Sequence, residues 1–196
     1  MKKKKKWICS YSMKNFNQLL EHCRTYHAFE RDSVKEEEIL EALSASLKAP
    51  NHKFSFPWRY ILIKGDTKKK LAQLALEIKS KGEKLPPAKQ EAIQDKILNP
   101  ELVAFCQKRS PDEFTNKEDY ATLSCSVQLF ALSLAEKGIG YKWSTAKIIT
   151  DDRFYKLIDV DREDYEVVGL IMAGRPCTVP KPRRRPALED VLTRRE

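Results

Sequence analysis

The run Val167-Val168-Gly169-Leu170-Ile171-Met172-Ala173-Gly174 is apolar from end to end. A strand with one wet face alternates apolar and polar residues, whereas a strand covered on both faces does not. The run therefore predicts the central strand of a sheet with helices on either side. Outward from it, Leu102-Val103-Ala104-Phe105-Cys106 predicts a second strand. Arg59 to Lys64 predicts another, closed by Gly65-Asp66, and Tyr141 to Thr145 a short extended segment. Between these lie helical patterns. Phe16, Leu19, Leu20 and Cys23 recur at helical spacing over 13–23. Ile39, Leu40, Leu43 and Leu47 form the buried stripe of a second helix, capped at Asp32-Ser33 and carrying Glu36 and Glu37 in its first turn. Leu71, Leu74, Ala75 and Ile78 mark a third. Residues 115–137 predict the longest helix, ended by Gly138 and Gly140. Its Ala121, Ser124, Cys125, Leu129 and Leu132 suggest burial on more than one side. Phe154, Leu157 and Ile158 mark a short helix. The polar stretch Ser80 to Pro100, with Pro86-Pro87, reads as a mobile excursion holding one helix at 88–97. The class is α+β, with helices dominant and no internal repeat.

At 196 residues, 41% hydrophobic and 33% charged, the composition is that of one globular domain rather than a disordered chain. No stretch of about 18 apolar residues is present, so no membrane-spanning helix is expected. The net charge of +9 is unevenly spread. Lys2–Lys6 contribute five positive charges, residues 175–196 hold seven bases against three acids, and the body 7–174 is neutral. A duplex-binding domain carries its bases on the folded face, so the pattern argues against nucleic acid as partner. Residues 1–12 read as a basic disordered N-terminus, 13–180 as the folded domain, and 181–196 as an Arg-rich tail. Five scattered cysteines without metal-ligand spacing to the three histidines imply reduced thiols, no metal, and a cytoplasmic setting. The lysine run is not followed by the apolar core of a signal peptide.

No Gly-rich phosphate loop, nucleophile elbow or zinc signature occurs, so phosphate contacts would have to come from side chains. Three segments offer them. Cys23-Arg24-Thr25-Tyr26-His27-Ala28-Phe29 places a guanidinium and a hydroxyl at a chain turn, suited to an anion; taken alone, it reads rather as a surface arginine beside a cap residue. Lys48-Ala49-Pro50-Asn51-His52-Lys53-Phe54-Ser55-Phe56-Pro57-Trp58 joins a helix to a strand and is crowded with polar and aromatic groups. Arg183-Arg184-Arg185-Pro186 is followed by Ala187-Leu188-Glu189-Asp190-Val191-Leu192, an apolar anchor that suggests a docked tail rather than a solvated one.

Taken in order, these segments resemble the nitroreductase family of flavin enzymes. Members open with an Arg-Arg-Ser-type motif and a following aromatic, which Cys23-Arg24-Thr25 and Phe29 resemble. One branch has an Ala-Pro-Asp/Asn-His loop running into Pro-Trp and a strand, here Ala49-Pro50-Asn51-His52 to Pro57-Trp58-Arg59-Tyr60-Ile61. After its long helix that branch has Gly and then a Trp-Ser/Arg-Thr/Ser segment, here Gly140 and Trp143-Ser144-Thr145. Gly174-Arg175-Pro176 and the arginines before Pro186 also match. The likeness spans about residues 14–192. Three positions depart: Cys23 replaces the first arginine, Phe56 stands where Gln or Glu commonly precedes Pro-Trp, and Ala146 where glycine is frequent.

The resemblance implies a mixed, mainly antiparallel central sheet flanked by helices, in an intertwined homodimer with FMN at the interface. Cys23, Arg24, Thr25, Arg183, Arg184 and Arg185 would hold the flavin phosphate. Lys48, Asn51 and His52 match cofactor-contacting positions, within one protomer or from the facing one. Trp143, Ser144 and Thr145 would line the isoalloxazine or its ribityl chain, with Lys142 or Lys53 as a cation near the pyrimidine edge. NADH or NADPH would reduce the flavin, whose N5 carries the hydride to a nitroaromatic, quinone or similar small acceptor in a ping-pong cycle, with no protein residue catalytic in its own right. Two other readings stand beside it: a flavin-binding relative without turnover, and a basic-ended module for nucleic acid or an anionic surface.

Overall fold

The computed structural model describes residues 16–195. The expected N-terminal segment 1–12 and the first residues of the expected first helix lie outside these. The elements are α1 (Phe16–His22), α2 (Glu36–Ser46), β1 (Trp58–Ile63), α3 (Gly65–Ser80), α4 (Pro87–Leu98), β2 (Glu101–Lys108), α5 (Glu113–Glu136), β3 (Gly140–Ser144), α6 (Asp152–Leu157) and β4 (Tyr165–Gly174). The four strands form one sheet in the order β1-β2-β4-β3, every neighbour antiparallel. Outside them, Thr25 makes a parallel bridge to Tyr141, so the sheet is mixed and mainly antiparallel.

The apolar run is indeed central. β4 lies between β2 and β3 and is buried from Val167 to Gly174. Its side chains point alternately into two cores. On one face Leu102, Ala104, Leu170 and Met172 pack with Leu71 and Leu74 of α3, Ile97 of α4 and Phe154 of α6. On the other, Val103, Phe105, Ile171 and Ala173 pack with Ile39 of α2 and with Leu123, Val127, Phe130 and Leu134 of α5. Each buried leucine, isoleucine or phenylalanine contributes about 1.5–3 kcal/mol by leaving water, and the two faces together hold the layers.

The stretch 80–100 is less open than expected. Lys81 (φ 51°) and Gly82 (φ 85°) stop α3, and Pro87 starts α4 in its first turn, where a missing N–H costs nothing. Ile97 of α4 is 4% exposed, and the helix returns along α3. Among the described residues no helix is long and apolar enough to cross a membrane.

Two expectations are corrected. The second helix begins at Glu36 rather than after Asp32-Ser33. Asp32 adopts φ 49°, and Ser33 Oγ donates to Glu30 O and accepts from Arg175 N, so its hydroxyl is engaged by a distant strand end instead of capping. The Glu38 carboxylate takes the Lys35 N–H at 3.0 Å in its place. The buried stripe of that helix is Ile39, Ala42 and Ser46 with half-buried Leu43. Leu40 and Leu47 are about half exposed, because they fall on the flank turned from α5.

The long helix is buried along 119, 122, 123, 126, 127, 130, 131, 134 and 135. Within one chain Ala121 and Cys125 form an exposed stripe, and Ser124, Leu129 and Leu132 are half-buried. The second buried side expected from the sequence is therefore not made inside a single chain. The tail is likewise open: Leu188, Val191 and Leu192 are exposed around a short turn at Leu188–Asp190.

Candidate functional site: two corners of one sheet

The segment after α1 is strapped against the edge strand β3. Tyr26 N donates to Tyr141 O at 3.0 Å, Cys177 N to Ala28 O at 3.1 Å, and Phe29 bridges Pro176. What admits the strap is a notch. Gly140 and Gly174 face each other across β3 and β4. A Cβ on Gly140 would lie 2.8 Å from the Tyr26 ring, and one on Gly174 would lie 2.9 Å from Phe29 Cβ. Two aromatics thus fill the space of two missing side chains, which leaves Tyr26 and Phe29 only 6% and 4% exposed. Arg175 ties the same corner down, giving Nη1 to Lys137 O at the end of α5 and Nη2 to Glu38 Oε1 of α2 at 3.2 Å. The Gly-Arg-Pro ending is thereby structural.

Beside this strap the site residues of the chain start are at hand. Arg24 is half-buried and donates Nε to Glu21 O at 2.8 Å; its terminal nitrogens have no partner among the described residues. Thr25 is exposed. Cys23 is half-buried, and burial pushes its thiol pKa up. Burial also raises the Tyr141 hydroxyl, while the charge of Arg185 acts on it in the opposite sense. Tyr26, in turn, feels the Arg24 charge. Arg24 from the chain start thus acts on Tyr26, and Arg185 from the tail on Tyr141. Arg183 and Arg184 are exposed and make no ion pair among the described residues.

β3 carries the next group. Trp143 lies across β4, its Nε1 donating to Val168 O at 3.3 Å, where a bulge sets Phe105 opposite Gly169 and Cys106 opposite Val167. A Cβ on Gly169 would come within 2.1 Å of that nitrogen. The indole donor is thus engaged within the chain. Ser144 is buried and Thr145 exposed. Lys142 points to the opposite face, where desolvation and the charges of Lys96 and Lys79 lower its pKa. It is not on the side of Tyr141 and Trp143.

The loop before β1 lies elsewhere. Lys48 is exposed, Asn51 half-buried, and His52 exposed with Nε2 at 3.7 Å from Glu118 Oε1 on α5. Lys53 acts on Asp112, at the start of the same helix. Trp58 pairs with Gln107, Gln107 with Glu166, and Tyr141 with Ala173. At about 4.8 Å between strands and about 3.3 Å per residue, the two groups stand roughly 25 Å apart, at diagonal corners of the sheet. One chain does not bring Lys48, Asn51 and His52 to Arg24, Thr25 and Arg185.

Missed by sequence reasoning were the Gly140–Gly174 notch and the buried Asp119, which holds the 51–57 loop through Ser55. A signal for the first existed in the two strand-end glycines facing the aromatics of the strap.

YfhC of Bacillus subtilis (strain 168), provisionally named an NAD(P)H nitroreductase, is 27% identical over 178 residues, covering 87% of this chain and 89% of that protein. A nitroreductase-like protein from Bacillus cereus superposes with a TM-score of 0.80 at 23% identity, covering 92% of this chain and 95% of that one. A Desulfovibrio desulfuricans protein, described provisionally as a nitroreductase and solved with FMN, superposes at 0.71 with 18% identity, covering 92% and 96%. The profile of the nitroreductase family matches residues 21–175, from α1 through β4, and this chain belongs to that family.

Proposed function

We propose that the chain binds FMN between two copies and passes reducing equivalents from NADH or NADPH to a nitroaromatic, quinone or similar small acceptor. The observation that carries this is the strap along β3, fixed by the Tyr26 N–H on Tyr141 O and by the Gly140–Gly174 notch, which holds Arg24 and Thr25 at one corner, with the charge of Arg185 from the tail reaching Tyr141. That donor set fits a phosphate dianion: the Arg24 terminal nitrogens and the Thr25 hydroxyl are free of partners among the described residues, and Arg183 and Arg184 add charge without counter-ions. Each charge-assisted bond contributes about 1.5–3 kcal/mol, so a few retain a nucleotide without a Gly-rich loop.

The diagonal separation supports the two-copy arrangement. A second copy turned about a twofold axis sets its Lys48–His52 loop against the first copy's Arg24 corner. The exposed Ala121 and Cys125 stripe of α5 suits that contact. Bound FMN supplies the hydride chemistry; the protein binds, orients and desolvates it. Arg24, Thr25 and the tail arginines anchor the phosphate, and Tyr26 and Phe29, wedged in their glycine notch, hold Arg24 in place. The loop residues Asn51 and His52 close the ring end from the partner.

The test is a spectrum. Protein mixed with FMN and desalted is expected to remain yellow and to bleach anaerobically with NADH or NADPH. Replacing Arg183, Arg184 and Arg185 together by alanine is expected to weaken FMN binding by at least about tenfold with unchanged far-UV circular dichroism. Replacing Lys2–Lys6 should leave FMN affinity unaltered. Wild-type protein that takes up no FMN, or a triple variant of undiminished affinity, would overturn the assignment. Yellow protein that neither donor bleaches would favour a flavin binder without turnover, a reading to which the apolar Phe56 lends support.

A further inference from the structure

The loop between α2 and β1 contains no glycine, yet Lys53, Phe54 and Phe56 adopt φ of 55°, 53° and 47°. The left-handed region costs a side-chain-bearing residue about 1–2 kcal/mol each time. Such strain persists only where the surroundings over-determine it. Here the fastening is polar. Asn51 Oδ1 accepts the Phe56 N–H at 2.8 Å, and Asn51 Nδ2 donates to Ser55 Oγ at 2.9 Å. Ser55 Oγ donates in turn to Asp119 of α5, a carboxylate only 5% exposed.

This strain yields no apolar burial in the chain. Phe54 is 75% exposed and Phe56 59%. The rings do form a sequence with Trp58: Phe54 to Phe56 and Phe56 to Trp58 are each 6.1 Å between centroids, tilted at 46° and 55°. At the start of the same loop His52 Nε2 lies 3.7 Å from Glu118 Oε1 of α5. A small π-rich surface on a loop fastened by Asn51, Ser55 and Asp119 suits a flat, electron-poor ring better than a broad protein contact, because its phenylalanine faces are negative and its loop is already ordered.

We propose that Phe54, Phe56 and Trp58 form a stacking step for a flat conjugated ring, and that Asp119 is its positioning residue, acting through Ser55. The proposal rests on the flavin-enzyme reading above. The ring belongs either to the cofactor or to the acceptor, and the two are separable. The test uses FMN-loaded wild-type protein and the Phe54→Leu/Phe56→Leu variant, which keeps apolar bulk and removes the π faces. Three readouts are taken: FMN affinity with the fluorescence of the bound flavin, KM for menadione, and KM for ferricyanide, which has no aromatic ring.

A cofactor ring on the step gives weaker FMN binding, by about two- to tenfold per ring pair lost, and brighter bound flavin. An acceptor ring leaves FMN and ferricyanide unchanged and raises KM for menadione by a similar factor. Asp119→Ala is expected to reproduce whichever pattern appears, and Asp119→Asn, which keeps an acceptor for Ser55, to restore it. A folded double variant with all three readouts unchanged overturns the proposal while the FMN reading stands. So does a variant whose only change is a shift between monomer and dimer on size exclusion, since the patch is then a protein contact. Wild-type protein that takes up no FMN fails the underlying reading and takes the step with it.

Discussion

Replacing Gly169 by alanine puts a methyl group 2.1 Å from Trp143 Nε1 and 2.4 Å from its Cδ1. β4 cannot yield, because Gly169 lies in a strand paired on both sides. The indole must leave instead. Its hydrogen bond to Val168 O is lost, at about 1 kcal/mol. Repacking a large ring over the central strand adds about 1–3 kcal/mol. A total of about 2–4 kcal/mol corresponds, for a chain of this size, to a fall in Tm of roughly 5–15 °C. Thermal unfolding followed by far-UV circular dichroism reads the fall, and near-UV dichroism reads the displaced indole. The Trp143→Ala/Gly169→Ala double variant is the control. With the indole gone the methyl has room, so the two losses should fail to add, with a coupling of about 1–3 kcal/mol. A Gly169→Ala protein melting within about 2 °C of wild type, or strictly additive losses, would refute the lock between Trp143 and the bulge.

Gly140→Ala should displace Tyr26 from its notch and weaken FMN binding more than it lowers Tm, read by flavin titration beside a melt. Asp151 accepts from Arg153, whose guanidinium holds its carboxyl at about 2, and it caps α6. Because the folded value lies below the ordinary carboxylate range, its contribution is full above about pH 4 and fades as pH falls toward 2. Asp151→Ala should therefore cost about 1 kcal/mol at pH 7, a gap that narrows in melts taken across that acid range. Burial pushes Cys106 up to about 12, so it should react with a thiol reagent only on unfolding, whereas exposed Cys177 should react at once. Cys125 is the informative thiol: protection from the same reagent, lifted on dilution, is expected if α5 packs against a second copy.

The strands were legible because burial on both faces removes alternation, and β4, β2 and β1 fall within a residue or three of where their apolar runs place them. Helix existence was equally plain. Facing was not: Ile39 and Leu40 are adjacent in sequence, and only the position of α5 decides which one is buried. The Asp32-Ser33 cap failed because Arg175, far along the chain, engages Ser33. For the site, the residue types near Arg24 were readable, but their distance from His52 depends on strand order, which no local pattern encodes. The left-handed phenylalanines were invisible, since a loop without glycine gives no sign of positive φ.

The diagonal placement of the two residue groups has a consequence for mixed assemblies. If each cleft draws Arg24 from one chain and His52 from the other, a hybrid of an Arg24→Ala chain with a His52→Ala chain concentrates both lesions in one cleft and leaves its twin intact. Two crippled parents, denatured and refolded together, would then regain part of the native turnover that neither regains alone.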